Sequence, residues 1–218
     1  MVMAQALIAL ALSANGVSGA LVSMPPTVTS ASADTTVAGM PHSGARPSAA
    51  SAQPGDAAAT KTTYTYEIGY RGNIVANKKK FVSRVAKTYA AARGWRRADL
   101  AFQRVPRKDA SDFTVVLAAA DQMTSFSSLC SPYYSCRVGR YVIINQLRWR
   151  HSVSHWPDSR RSYRKMVINH ETGHWLGLGH RSCYRAGAKA PVMQQQSKSL
   201  DGCRANPWPK RLEIASAS

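Results

Sequence analysis

The chain has 218 residues, with 29 Lys and Arg against 11 Asp and Glu, and a formal net charge of +18 at pH 7. This length suggests one domain with extensions, and it supplies ample material for a hydrophobic core. The charge favours acidic partners, but the sequence has no helix-turn-helix, zinc-finger or ribonucleoprotein motif, so no nucleic-acid partner is expected. No stretch is apolar over the roughly 20 residues that a transmembrane span needs.

The N-terminal part of the chain does not have the composition of a folded core. Residues 1–22 contain the apolar run ALIALALSA and the small residues VSGA, which are typical of an export signal, although no Lys or Arg precedes the run. A disordered apolar tail is the alternative. Residues 23–60 are rich in Ala, Ser, Thr and Pro, which predicts a disordered linker before a folded domain at 61–218. We therefore expect a protein that is secreted or associated with the cell envelope.

Four segments in the first half of the folded domain have the pattern of a strand or a helix. YTYEIGY (64–70) alternates and predicts a strand. KKKFVSRVAKTYAAARGW (78–95) has apolar residues at helical spacing, with Gly94 as the expected end of the helix. DFTVVLAAA (112–120) and RYVIINQ (140–146) predict two further strands.

The four cysteines are Cys130, Cys136, Cys183 and Cys203. Their even number and the export signal predict two disulfides, for which the sequence alone permits three connectivities. We favour Cys130–Cys136 and Cys183–Cys203, because each of these pairs brackets one turn-rich loop. A second zinc site is the competing interpretation, but the sequence has no Cys-x-x-Cys pair to support it.

A long helix is predicted from a cap at Asp158 or Ser159 through RRSYRKMVINHETGHWL, with Gly177 as its end. His170 and His174 are four residues apart on this helix, so both imidazoles lie on one face and can point at one metal ion. The apolar residues of the same face toward the N-terminus are predicted to be core, which would hold both imidazoles rigidly.

The residues around these two histidines complete the pattern of a catalytic zinc site. Gly177 permits a turn with positive φ, after which His180 can return to the metal as the third ligand. Glu171 follows the first ligand directly and can reach a metal-bound water without being a ligand itself. Zinc lowers the pKa of such a water to near 7, and Glu171 would accept its proton, which predicts peptide-bond hydrolysis without a covalent intermediate.

The stretch NHETGHWLGLGH resembles the zinc-binding consensus of the metzincin clan of metalloendopeptidases, and APVMQQQ places Met193 where a Met-turn is expected. More closely, residues 64–209 are similar to a family of exported bacterial domains. The resemblance implies an α+β fold, with a twisted mixed sheet, a long active-site helix and a Met-turn. It also implies the following roles: His170, His174 and His180 as zinc ligands, Glu171 as general base, Gly177 as turn glycine and Met193 as the Met-turn methionine.

Other parts of the metzincin pattern are less defined in this sequence. Some metzincins place a tyrosine two residues after the Met-turn methionine, where this chain has Gln195. Tyr184, Gln194 and Gln195 are therefore the candidates for stabilising an oxyanion. In other metzincins an edge strand binds the substrate in extended form, and RYVIINQ and DFTVVLA are the two candidates for that strand. His151 and His155 are interpreted as loop residues near the site.

The sequence thus predicts a secreted, monomeric zinc metalloendopeptidase with one catalytic zinc ion, acting on a protein or peptide substrate. A zinc amidase acting on peptidoglycan is one alternative, because it uses the same chemistry on another bond. A non-catalytic envelope-binding module is the other, in which zinc only stabilises the fold and the basic surface binds an anionic cell-wall polymer. Loss of Glu171 separates the last class from the enzymes, because only an enzyme depends on that carboxylate.

Overall fold

A five-stranded mixed sheet is the centre of the structure, a computed structural model that describes residues 61–106 and 110–217. The predicted signal and linker segments at 1–22 and 23–60 lie outside the described residues. The elements in chain order are β1 (Thr62–Arg71), α1 (Lys78–Tyr89), β2 (Leu100–Arg104), β3 (Phe113–Ala118), β4 (Cys136–Val138), β5 (Tyr141–Asn145), α2 (Gln146–His151), α3 (Arg160–Trp175) and α4 (Arg211–Ala215). Short 3-10 helices lie at Trp95–Ala98 and Ala120–Ser125.

The strands of this sheet run in the order β2-β1-β3-β5-β4. β1 pairs in parallel with β2 and β3, β3 pairs in parallel with β5, and only β4 is antiparallel to its neighbour β5. All six residues of β3 are buried, because helices cover one face of the sheet and the loop around Cys130 covers part of the other. This explains why β3 reads as a continuous apolar run rather than an alternating one.

The helix α3 is the element that positions the histidines. The Ser159 side chain caps it by accepting the Ser162 backbone N–H, as its sequence predicts. Most of its residues from Tyr163 to Gly173 are buried against the sheet and α1. The helix ends at Trp175, and Gly177 follows with φ +89°, a conformation that glycine adopts without steric cost and that turns the chain back.

The strands predicted at 64–70, 112–120 and 140–146 are present as β1, β3 and β5. α1 ends at Tyr89, earlier than predicted, because the following residues form a turn closed by the Gly94 N–H on the Ala91 carbonyl. The prediction of the edge strand was wrong. β3 lies in the middle of the sheet and β4 covers β5, so the edges are β2 and β4.

Two disulfides brace the loops of the domain, with the pairing that the loop spacing favours. Cys130 is bonded to Cys136 at the start of β4, and Cys183 is bonded to Cys203, with Cα–Cα distances of 5.9 and 5.8 Å. The second bond joins the segment after His180 to the segment after Met193, so it constrains both ends of the loop beside the histidines. None of the helices in the described ranges has the length and apolar character of a membrane span.

Candidate metal centre

Three histidines converge at the C-terminal end of α3. His170 and His174 stand one turn apart on the helix, and the turn at Gly177 brings His180 back to them. Each ring offers a nitrogen, and these three atoms lie within 4.8 Å of one another. The Nε2 atoms of His174 and His180 are 3.0 Å apart. The sequence-predicted ligand set is therefore brought together in space.

Backbone carbonyls fix the orientation of the two helical rings. His170 Nδ1 lies 2.8 Å from the Val192 carbonyl oxygen, and His174 Nδ1 lies 2.9 Å from the Leu178 carbonyl oxygen. A carbonyl only accepts hydrogen bonds, so in both rings Nδ1 must be the donor. The neutral tautomer then leaves the lone pair on Nε2, which is the arrangement that histidine ligands of metals have.

The surroundings of the histidines hold them in the neutral form. Burial, and next the neighbouring His174, lower the pKa of His170 to about 3. Burial is also the largest cause that lowers the pKa of His174 and of His180, followed for His180 by the charge of Lys198. Neutral imidazoles are the form that binds a metal, so no proton has to be displaced at neutral pH.

The donor set fits a zinc ion. Three neutral imidazoles, two of them backed by carbonyl acceptors, are a known ligand set of catalytic zinc, which keeps a fourth position open for water or substrate. The three rings line a cleft of about 320 Å³, so the set is accessible from that cleft. His170 is buried while His180 is exposed, so the set spans the depth of the cleft.

Glu171 lies beside the histidines in the same cleft and is only 5 % exposed. Burial raises the pKa of its carboxyl group to about 8, and the positive charge of Arg137 opposes that rise. A carboxyl group with a pKa near neutrality exchanges a proton readily in both directions. A cation held by the histidines would favour the carboxylate form further.

Met193 is completely buried and packs against α3 at Gly173. A side chain at Gly173 would overlap the Met193 sulfur and crowd the Trp95 ring, so the glycine is what allows this close approach. The Trp95 indole N–H donates to the Asn169 carbonyl at 3.2 Å, which fixes the ring against the same helix. No pattern in the sequence indicates this role for Gly173.

The loop that carries Met193 is held by a buried carboxylate from the C-terminal helix. Glu213, which is 1 % exposed, accepts the backbone N–H groups of Val192 at 3.1 Å and Met193 at 2.7 Å. It also accepts the Lys210 N–H at 2.7 Å. Sequence reasoning missed this residue. The one feature of the sequence that singles out Glu213 is that glutamate is rare, because the chain has only three Glu residues.

The walls of the cleft come from segments that carry no metal-site signal in the sequence. One wall comes from the loop that leads into β4 and from β4 itself, and the other comes from Gln195 to Lys198. The residues that line it besides the histidines and Glu171 are Leu129, Ser131, Tyr134, Ser135, Cys136, Arg137, Met166, Val167, Gln195, Gln196, Ser197 and Lys198. Tyr163 is one of the apolar residues on the histidine face of α3; it is completely buried, and its hydroxyl lies 2.8 Å from the Ser197 hydroxyl.

The structure separates the three oxyanion candidates. Gln195 is exposed and lines the cleft. Gln194 is buried outside the cleft lining, where its amide N–H donates to the Ser199 carbonyl. Tyr184 is also outside the lining, 68 % exposed, with the Lys210 ammonium 4.3 Å from its ring centre. Gln194 and Tyr184 therefore do not line this cleft.

The second pair of histidines is not part of the ligand set. His151 is the last residue of α2. His155 Nε2 lies 3.0 Å from the Gln196 carbonyl oxygen, so it supports the loop behind the cleft wall.

Comparisons with known proteins identify a family and a remote structural likeness. A family model described as "Protein of unknown function (DUF3152)" matches residues 39–210. No curated protein matches the sequence. Among solved structures, the crystal structure of archaemetzincin from Methanopyrus kandleri matches with a TM-score of 0.40 and 16% sequence identity, over 73% of this chain and 95% of that chain. At this level of likeness, a function has to be argued from the residues of the site.

Proposed function

The chain belongs to the family of proteins of unknown function DUF3152, and from its site we propose that it is a secreted zinc metalloendopeptidase of the metzincin type. One observation carries the proposal. Three imidazoles converge in an open cleft, two of them oriented by backbone carbonyls and the third returned by a turn. A buried carboxyl group lies one residue along the helix from the first of them. A zinc site kept only for stability closes all four ligand positions and has no use for such a carboxyl group.

His170, His174 and His180 would hold the ion. Zinc, when bound there, supplies the Lewis acidity that activates water and polarises a substrate carbonyl. Glu171 is the general base in the proposal. Its carboxylate takes a proton from the attacking water and returns it to the leaving amine, and its pKa near neutrality suits both steps.

The residues around this set have supporting roles in the proposal. Gly177 makes the turn that returns His180, and Met193 is the Met-turn methionine that packs beneath the ligands. Gln195 is the remaining candidate for stabilising the oxyanion, because it lines the cleft. Burial of Glu171 keeps water other than the reacting molecule away from the carboxyl group.

Substrate binding is proposed along β4. This strand is antiparallel to β5 on one side and forms the edge of the sheet on the other, and its first two residues line the cleft. An extended peptide can add to such an edge by backbone hydrogen bonds. Its scissile carbonyl would then lie over the three histidines.

The proposed location is outside the cytoplasm. Two disulfides among the described residues are typical of proteins that fold in an oxidising compartment. Secretion or association with the envelope agrees with the apolar N-terminal segment predicted as an export signal.

The test is cleavage of a diverse peptide mixture by the full-length protein, read by mass spectrometry. Wild type is compared with Glu171→Gln after the zinc content of both has been matched. Cleavage by the wild type alone supports a zinc peptidase with Glu171 as its base. If neither protein cleaves any peptide although both are folded and zinc-loaded, the result contradicts a peptidase. The same two proteins are then assayed on peptidoglycan fragments for amidase activity. Equal binding of wall polymer by both proteins, with no turnover, identifies a binding module.

A further inference from the structure

The cleft wall formed by β4 carries a cation, Arg137. Cys136 and Val138 pack with Ile143 on one face of the sheet. Side chains alternate along a strand, so Arg137 between them faces the opposite side, which α3 covers. Arg137 is exposed and lines the cleft together with Glu171 and His174. It is therefore beside the path of a peptide that adds to β4.

The opposite wall carries a second cation. Lys198 lies in a turn in which its backbone N–H donates to the Gln195 carbonyl at 2.8 Å. Its ammonium lies 5.8 Å from the ring centre of Tyr134, which belongs to the first wall. The Lys198 side chain therefore lies near Tyr134 of the first wall, and it lines the cleft together with His180.

No acid balances these two cations within the cleft. Among the residues described as lining it, Glu171 is the sole acidic side chain, and it is buried at the floor where the reaction requires it. Two like charges that face one cleft repel each other and attract an anion, and the field is strongest where solvent is partly excluded.

We propose that Arg137 and Lys198 make this cleft selective for peptides that carry an Asp or Glu side chain next to the scissile bond. The inference rests on the proposed peptidase function and names its substrate class. A carboxylate on either side of the bond forms a charge-assisted hydrogen bond with one of the two cations. A Lys or Arg side chain in the same place is disfavoured by repulsion.

Binding to the inactive protein tests this preference without turnover. Zinc-loaded, full-length Glu171→Gln is titrated with fluorescent peptides that differ only in Glu or Gln beside the scissile bond found in the mixture. The Glu peptide is expected to bind about fivefold to tenfold tighter at low ionic strength. When Arg137→Gln or Lys198→Gln is combined with Glu171→Gln, the affinity ratio of the Glu peptide to the Gln peptide is expected to fall. High salt is expected to lower the same ratio. Lys79→Gln on α1 is the matched control, because it removes the same charge away from the cleft and leaves the ratio unchanged.

The same peptide pair then serves as substrate for the wild type and the two cleft variants. A ratio of kcat/KM that favours Glu in the wild type and falls toward one in Arg137→Gln or Lys198→Gln supports the inference. Cleavage of both peptides at equal kcat/KM overturns the inference and leaves the peptidase proposal standing. Cleavage of neither peptide, nor of any other in the mixture, overturns the peptidase proposal and this inference with it.

Discussion

The Glu213 carboxylate accepts the backbone N–H of Met193 at 2.7 Å, although the two residues lie on separate elements. The same carboxylate accepts the N–H of Val192, whose carbonyl in turn accepts the Nδ1–H of His170. A continuous series of hydrogen bonds therefore connects the C-terminal helix with the first histidine. Glu213 acts on the site through the loop backbone, so it is a positioning residue.

Replacing Glu213 by Gln is expected to weaken zinc binding about tenfold to a hundredfold, the usual cost of losing an outer support of a metal ligand. The amide keeps the volume but puts its N–H₂ group against backbone N–H groups, which costs about 1–3 kcal/mol of folding stability. Zinc affinity is measured by competition with a chromophoric chelator. Glu67→Gln is the control, since Glu67 accepts a hydrogen bond from Thr114 away from the cleft. Equal zinc affinity in wild type and Glu213→Gln would show that the connection has no effect on the site.

Gly173→Ala is expected to destabilise the domain by about 1–3 kcal/mol, because the new methyl group overlaps Met193. The sign of this stability change is informative, because replacing Gly by Ala within a helix normally stabilises a protein by about 1 kcal/mol. The free energy of unfolding is measured by urea denaturation. In a Met193→Ala background the same substitution should cost less, because the sulfur is gone. A cost that does not depend on residue 193 would argue against this contact.

Acid is expected to destabilise the metal-free protein through the histidines. The pKa of folded His170 is lowered to about 3 from 6.5, so the unfolded chain binds more protons between those values. The stability that the neutral ring contributes is present above pH 6.5 and is lost as the pH falls toward 3. The measurement compares unfolding free energies at pH 7 and pH 5 in the presence of a chelator. His170→Asn should show a smaller loss between the two pH values, and an identical loss would contradict the assignment.

Glu171 should have the opposite pH dependence. Its folded pKa is raised to about 8 from 4.5, so the folded protein holds the proton more tightly than the unfolded chain does. The associated stability is fully present below pH 4.5 and is lost as the pH rises through 8. In the metal-free protein, Glu171→Gln should therefore gain stability relative to wild type between pH 5 and pH 9. A constant difference over this range would mean that the carboxyl group is not held neutral.

Much of the three-histidine cluster could be predicted because it depends on local stereochemistry. His170 and His174 share a helix face by their spacing alone, and Gly177 marks the turn that returns His180. Ser159 as the cap and the continuous apolar run of β3 are also local signals. The histidine spacing, the Gly177 turn and the Ser159 cap depend on contacts within a few residues in the sequence. The apolar run of β3 directly indicates a buried strand.

The walls of the cleft could not be predicted in the same way. β4 has only three residues and follows a turn-rich loop, so its sequence does not have a strand pattern, and its place at the edge depends on pairing with β5. Arg137 becomes a cleft residue only through that pairing. Glu213 reaches Met193 from a five-residue helix near the C-terminus, a contact that tertiary packing alone determines.

The most direct measurement is a zinc titration of the metal-free, full-length protein, with cleavage of its best peptide followed at each addition. The proposal predicts no cleavage at zero zinc and a rise that saturates at one equivalent. It also predicts a rate about 10²- to 10⁴-fold lower in Glu171→Gln at the same zinc content. Cleavage that is independent of zinc, or equal in Glu171→Gln, would contradict a zinc peptidase that uses Glu171 as its base.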